Sequence, residues 1–332
     1  MTMKAAFIDE PGPPEAIRYG ERPKPEPRGA QVLVRVKAVA LNPIDTYIRA
    51  GAIAVQGPKP YILGCDLAGV IEALGPEAGR FKVGERVWGS NQGLMGRQGT
   101  FAEYAAVEEC WLYPISDGVA DEDAAATALV GITAHLGLFR DAQLKTGETL
   151  FVHGGSGGVG SMVVQMAKIT GARVIATAGD EAKAERCRAL GADHVILYKT
   201  QNVEQAVREL APLGVNVWWE TLRQPDFERT VPLLAMRGRM IVMAGRDARP
   251  AFPVGAFYTR DAAIHGFAMF NATPAEQEQS AGGINRWLAD GRLKANIDRI
   301  WPLERAAEAH RIQEDSTVGG QGVLSGKIVL RP

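Results

Sequence analysis

The 332-residue chain has little cysteine, no charge excess and no long hydrophobic run, and each shortage excludes something. Its three cysteines, Cys65, Cys110 and Cys187, are widely spaced and odd in number. That excludes a disulfide framework and a CxxC-type zinc site, and it fits a reducing cytoplasm. Lys and Arg number 37 against 38 Asp and Glu, so no basic field draws the chain to phosphate backbones or anionic lipid, and neither nucleic acid nor membrane is an expected partner. The longest weakly polar stretch, Ala124–Phe139, is interrupted by Thr127, Gly131, Thr133 and His135 and is short for a bilayer. It reads as a buried helix. The amino-terminal Met1–Phe7 runs straight into a strand-like segment with no secretory pattern.

What is present is enough apolar residue, 46%, for two cores, and the length favours two domains. From Met3 to about Cys110 short β-branched runs alternate with Gly and Pro: Lys4–Ile8, Val32–Leu41, Leu67–Ala73, Arg86–Trp88 and Phe101–Val107. These predict a β-rich barrel or sandwich. After Asp121 the rhythm becomes βαβ, with strands at Thr149–His153, Arg173–Ala178, His194–Leu197, Asn216–Glu220, Arg239–Ala244 and Ala263–Ala268. Helices such as Val159–Ile169 and Ala182–Leu190 lie between them, stopped by Gly171 and Gly191. The expected class is α/β, with a doubly wound six-stranded parallel Rossmann sheet over residues 123–270. The tail, with helices around Trp287 and Ala306–Ile312 and a strand at Lys327–Leu330, is too short to stand alone and is expected to rejoin the first domain, giving 1–122 with 271–332.

The strongest motif is Phe151-Val-His-Gly-Gly-Ser-Gly-Gly-Val-Gly160, which sets Gly155, Gly157 and Gly160 in GxGxxG register between an apolar strand and an apolar helix. Glycines there permit a tight turn and close packing, and they let backbone N–H groups at the positive helix end approach a pyrophosphate. The end of the second strand decides which dinucleotide is bound. Thr177-Ala178-Gly179 occupies it, where an NAD-binding chain would place an acid, and Lys183 and Arg186 follow within reach of a 2′-phosphate. NADPH is therefore expected. Asp180 is the counter-argument, because its carboxylate could serve the ribose hydroxyls instead.

Several segments together resemble the medium-chain dehydrogenase/reductase superfamily, and specifically its zinc-free quinone reductases of the zeta-crystallin type. They are Leu41-Asn-Pro-Ile-Asp-Thr-Tyr-Ile-Arg-Ala-Gly51, Leu63-Gly-Cys-Asp-Leu-Ala-Gly-Val-Ile71, Gly84-Glu-Arg-Val87, Phe101-Ala-Glu-Tyr104, the glycine loop, Leu190-Gly-Ala192 and Gly326-Lys-Ile-Val-Leu330. The resemblance implies a GroES-like catalytic domain beside the Rossmann domain. It sets the sequence apart from the zinc alcohol dehydrogenases: Asn42 stands where their first zinc ligand would, Cys65 at the second, and Val130 or Gly131 near the third. No metal is expected, since a lone thiol does not hold a catalytic zinc.

The same resemblance implies the site. Asn42 and Tyr47 would line the nicotinamide end as catalytic residues, with Tyr47 also contacting the cofactor; an Asn amide and a Tyr hydroxyl can each donate to a substrate oxygen. Ser156, Gly157, Gly158, Val159 and Gly160 would hold the pyrophosphate, Gly179 and Lys183 the adenosine phosphate, and Tyr198 the 2′-phosphate or adenine. Ala244 and Gly245 would face the nicotinamide, and Phe267, Ala268 and Met269 its amide. Without a Lewis acid the substrate must accept hydride readily, as a quinone does. An enone or enoyl thioester is the rival substrate, and a non-enzymatic NADPH-binding protein of RNA-binding or crystallin-like kind is the rival class. The apolar strand Ala263–Ala268 would otherwise be an exposed edge, so a cytoplasmic homodimer or homotetramer is expected.

Overall fold

The computed structural model describes residues 1–54, 57 and 59–332. In chain order the strands are β1 Thr2–Ile8, β2 Arg18–Pro23, β3 Gln31–Ala40, β4 Tyr61–Ile62, β5 Leu67–Leu74, β6 Arg86–Gly89, β7 Tyr104–Glu108 and β8 Leu112–Pro114. Then come β9 Thr149–Val152, β10 Arg173–Ala178, β11 His194–Leu197, β12 Val215–Glu220, β13 Leu234–Val242, β14 Ala263–Gly266, β15 Ile297–Pro302 and β16 Lys327–Arg331. The helices that matter for the site are α1 Pro43–Arg49, α2 Asp121–His135, α3 Gly158–Ile169 and α4 Glu181–Ala189. The chain divides into two compact units, Met1–Ile132 with Thr273–Pro332, and Thr133–Ala272.

The first unit is sheet-rich. Its seven-stranded sheet runs β15-β16-β3-β5-β6-β8, with β7 also paired to β3, and a three-stranded sheet runs β2-β1-β4. β3 forms because β-branched residues alternate along Gln31–Ala40, and it is the hub: it pairs antiparallel with β5, β7 and β16. Through β16 the carboxyl-terminal tail joins the amino-terminal sheet, so Leu41, at the exit of β3, donates to Ile328 at 3.0 Å. The core is an apolar cluster that includes Val34, Leu41, Ile48, Leu67, Phe101, Ile328 and Leu330.

The second unit is a parallel six-stranded sheet in the order β11-β10-β9-β12-β13-β14. β9 is hydrogen-bonded to both β10 and β12, so chain direction across the sheet reverses there. That reversal leaves a crevice at the carboxyl ends of the strands, which is where ligands of doubly wound sheets bind. Its core contains Phe151 stacked on Trp218, with ring centroids 3.9 Å apart.

The stretch Ala124–Phe139 is not one uniform helix. α2 continues into a wider π-helical turn, Leu136–Asp141, closed by Ala142 N–H donating to the Gly137 carbonyl at 2.9 Å. Gly137 lies against the rings of Trp219 and Phe267, and a Cβ there would stand 2.4 Å from Trp219. The wide turn and the missing side chain make room for two aromatic rings, a packing constraint that no periodicity reveals.

Candidate active site

In the second unit the residues expected to hold a dinucleotide all fall at the carboxyl ends of the parallel strands. β9 ends at Val152, and the glycine loop is drawn toward β10, where Gly154 N–H donates to the Thr177 hydroxyl at 2.9 Å and Gly155 N–H to the Thr177 carbonyl at 3.0 Å. α3 then starts at Gly158 with Gly157 as its cap. The glycines are required by contact: a Cβ on Gly155 would be 2.7 Å from that of Ala176, and a Cβ on Gly160 would be 2.1 Å from the Gly154 carbonyl oxygen. The loop and the first turn, including Gly158, Val159 and Gly160, therefore present backbone donors at a positive helix end. Ser156 is buried and its side chain meets the Cys187 thiol behind the loop. A pyrophosphate fits this cradle.

The end of β10 resolves into a small cluster. Tyr198, which follows β11, holds its hydroxyl over Gly179, where a Cβ would be 2.8 Å from the hydroxyl oxygen and 3.5 Å from Cε of Lys199. Asp180 caps α4, its carboxylate accepting from Lys183 N–H at 2.9 Å. That bond gives Asp180 a structural task at the helix start. Tyr198 and Lys199 are thus brought beside Gly179, and Lys183 lies in the first turn of α4, tied by its backbone N–H to Asp180; the only sequence signal for Lys199 is adjacency to Tyr198.

Ala244 and Gly245 follow β13, and Gly245 adopts φ +84° within 3.1–3.4 Å of Arg223, Pro225 and Ala248 by its Cβ position. Phe267, Ala268 and Met269 follow β14, which is paired to β13 at Val242 and Gly266, so the two segments leave the sheet side by side. Arg140 of the π-turn lies 5.4 Å from the Phe267 ring centroid. Between β9 and β13, at the direction reversal, β12 ends in buried Glu220, which accepts from Trp218 and from Leu222 N–H. Burial raises the Glu220 carboxyl and lowers His153, 3.6 Å away, to about 4. His153 is therefore neutral, in keeping with a structural role.

The first unit gathers a different kind of site around the start of α1. Asn42, at the end of β3, is fully buried and its side chain is spent internally. Its amide nitrogen donates to Asp66 at 2.7 Å and to the Ala40 carbonyl at 3.2 Å, and its amide oxygen accepts from Lys327. Lys327, from β16, also donates to the Leu41 carbonyl at 2.6 Å and lies 3.9 Å from Asp66. Asp45 accepts from Asn42 N–H at 2.8 Å and so caps α1. Tyr47, half-buried, stands on that helix.

The charges here are held away from water. Burial raises Asp45 to about 7, opposed by its contacts with Cys65, the Asn42 N–H and Lys327 and reinforced by Asp66. Burial raises the Asp66 carboxyl too, against the lowering pull of Lys327 and of Asn42. It pushes the Cys65 thiol well up, with Asp45 and Asp66 adding to the rise, and pushes Lys327 down against the pull of both carboxylates. Sequence reasoning did not see this network, because Lys327 and Asp66 carried no signal beyond membership of family-like segments. Among the described residues no cluster of three His, Cys, Asp or Glu side chains is arranged to hold a metal ion, and no helix is long and apolar enough to cross a membrane.

Comparison with known proteins adds identity to this geometry. Residues 28–117 match the family model "Alcohol dehydrogenase GroES-like domain" and residues 158–282 match "Zinc-binding dehydrogenase". The human quinone oxidoreductase is 32% identical over 330 residues, covering 99% of this chain and 97% of that one. Among solved structures, an NAD-dependent alcohol dehydrogenase superposes with TM-score 0.89 at 31% identity, covering 99% of this chain and all of that one. A mycobacterial protein in complex with NADPH superposes with TM-score 0.86 at 28% identity, covering 99% of this chain and all of that one. The motif segments, the two sheet architectures and the full-length similarity agree: the chain belongs to the quinone oxidoreductases of the medium-chain dehydrogenase/reductase superfamily.

Proposed function

We propose that the protein is an NADPH-dependent quinone reductase that transfers hydride without a metal. The observation that carries this is the carboxyl edge of the six-stranded sheet, where a glycine cradle and the Gly179, Tyr198 and Lys199 cluster lie at the ends of neighbouring strands, with Lys183 in the first turn of the following helix. When bound, the reduced nicotinamide dinucleotide supplies the hydride. Backbone donors of Ser156, Gly157, Gly158, Val159 and Gly160 hold its pyrophosphate. Lys183, with Lys199 and the Tyr198 hydroxyl, receives the 2′-phosphate, while Asp180 is occupied as a cap. Ala244 and Gly245 approach the nicotinamide ring, and Phe267, Ala268 and Met269 offer backbone groups to its carboxamide.

On the substrate side, Tyr47 donates its hydroxyl to a substrate oxygen. Asn42 works by holding the start of α1 in place, because donating to a substrate would break a buried bond to Asp66. A metal-free mechanism is favoured by the chemistry of the side chains present: a protonated Cys65 thiol beside a buried Lys327 ammonium is a poor cation site. A quinone needs no Lewis acid, since hydride plus one proton from solvent gives an aromatic hydroquinone.

Among the described residues β14 has a neighbouring strand on one side only, and we propose that it pairs with a second copy to give a homodimer or homotetramer. Three free cysteines, Cys65 and Cys187 buried, suit the reducing cytoplasm. The deciding experiment is a steady-state screen of quinones, enones and enoyl thioesters with NADPH after treatment with a chelator. Quinones should turn over fastest and at undiminished rate. Exclusive turnover of enoyl thioesters, or loss of activity that zinc restores, would overturn the reading.

A further inference from the structure

Where β9 and β12 begin, at the end of the parallel sheet opposite the dinucleotide edge, a cleft of about 420 Å³ opens within Thr133–Ala272. Gln143, Lys145, Asn216, Met236, Arg237 and Arg239 line it, and none of the residues expected to hold the dinucleotide does. Its volume is that of a small-molecule site.

The charges of this cleft do not balance. Both of its carboxylates are spent: Asp141 accepts from the Arg140 guanidinium on its two oxygens, at 2.8 and 2.9 Å, and Glu148 accepts from Arg239 on both of its own, at 2.8 Å. Lys145 gives Glu148 only its backbone N–H, at 2.9 Å. Among the described residues neither the Lys145 ammonium nor the Arg237 guanidinium forms an ion pair, and both residues are exposed. Neutral donors join them. The Asn216 amide oxygen accepts from Thr149 N–H at 2.8 Å, which leaves its NH₂ group to donate elsewhere.

The backbone holds these side chains at a cost. Val215 pairs with Leu234 but Val217 with Arg239, so Ala235–Gly238 bulges out of β13, and Arg237 within the bulge has φ +58°. Glycine takes that conformation freely, whereas an arginine there is strained. Gln143 has φ +48°. Strain kept at two residues of one lining, each with a donor side chain, points to a use for those side chains.

We propose that this cleft binds a small organic phosphate monoester. The Arg237 fork and the Lys145 point charge complement a dianion, and the Asn216 and Gln143 amides bring further N–H donors to its three terminal oxygens. A carboxylate has too few oxygens for that donor set. Inorganic phosphate would leave the Met236 wall uncovered.

Calorimetric titration with glycerol 3-phosphate tests this, and a single saturable site per chain is expected. Arg237→Gly, which keeps the bulge and removes the guanidinium, and Lys145→Gln should each weaken binding about tenfold or more with unchanged thermal midpoints. Arg237→Lys, which keeps the charge without the fork, should fall between Arg237→Gly and the unaltered protein. Lys183→Ala, at the dinucleotide edge, should stay within about twofold of the unaltered protein. Succinate and inorganic phosphate should bind more weakly than glycerol 3-phosphate. No binding up to about 10 mM, equal affinity for succinate or for inorganic phosphate, or loss with Lys183→Ala in place of Arg237→Gly and Lys145→Gln would each overturn the assignment.

Discussion

The dinucleotide edge of Thr133–Ala272 is made chiefly of backbone, whereas the polar centre of the other unit is made of side chains. At the first, Gly155 and Gly160 matter for the atoms they lack, and the donors belong to a helix start. At the second, Asn42, Asp45, Asp66 and Lys327 come from α1, its approach, the start of β5 and the last strand, and each is buried against another's charge or amide. A backbone site tolerates changed side chains nearby but no added Cβ. A buried ionic site tolerates neither loss of a partner nor a change in protonation.

That contrast can be broken most forcefully at Lys327. Lys327→Met leaves Asp66 buried without its cation and frees the Asn42 amide oxygen, and it should cost about 3–5 kcal/mol of stability in chemical unfolding. A loss near zero would mean the network is not a buried ion pair. The next effect concerns pH. Because the folded Asp45 carboxyl is raised to about 7, its contribution to stability is fully present below its unfolded value and is lost as pH rises through 7. The unaltered protein should therefore lose about 3 kcal/mol between pH 4 and 7 from this group. Asp45→Asn, whose amide oxygen can still accept from Asn42 N–H, should flatten that slope in urea titrations at each pH. On the other side of the comparison, Gly160→Ala should weaken NADPH and NADH alike by at least about a hundredfold with circular dichroism unchanged, since its methyl meets the Gly154 carbonyl. A selective loss of one coenzyme would place the pyrophosphate elsewhere.

The same contrast explains how much was legible in the sequence. All six strands of the parallel sheet are read from apolar runs, and the glycine loop, Gly179 and Lys183 are read from local spacing, because backbone geometry is encoded within a few residues, whereas Tyr198 is legible only by resemblance. β2 and β15 were missed, since Arg-Tyr-Gly-Glu-Arg-Pro and Ile-Asp-Arg-Ile-Trp-Pro hold polar residues where alternation would need apolar ones. The Asn42–Lys327 contact was missed for another reason: 285 positions separate its partners, and only the antiparallel pairing of β16 with β3 brings them together. Asn42 was legible as a site residue by resemblance, but its amide being spent on Asp66, Ala40 and Lys327 was not. By sequence Asp180 is a rival for the ribose hydroxyls, and its capping bond to Lys183 N–H is a local side-chain choice that the sequence leaves open.

The measurement that bears most directly on NADPH-dependent hydride transfer is kcat/KM for NADPH and for NADH with one quinone, in the unaltered protein and in Lys183→Ala. A charge-assisted bond to the 2′-phosphate is worth roughly 1.5–3 kcal/mol, so the unaltered protein should prefer NADPH about ten- to a hundredfold. Lys183→Ala should erase most of that preference while leaving NADH nearly untouched. Equal use of both coenzymes before the substitution, or equal loss of both after it, would contradict the account.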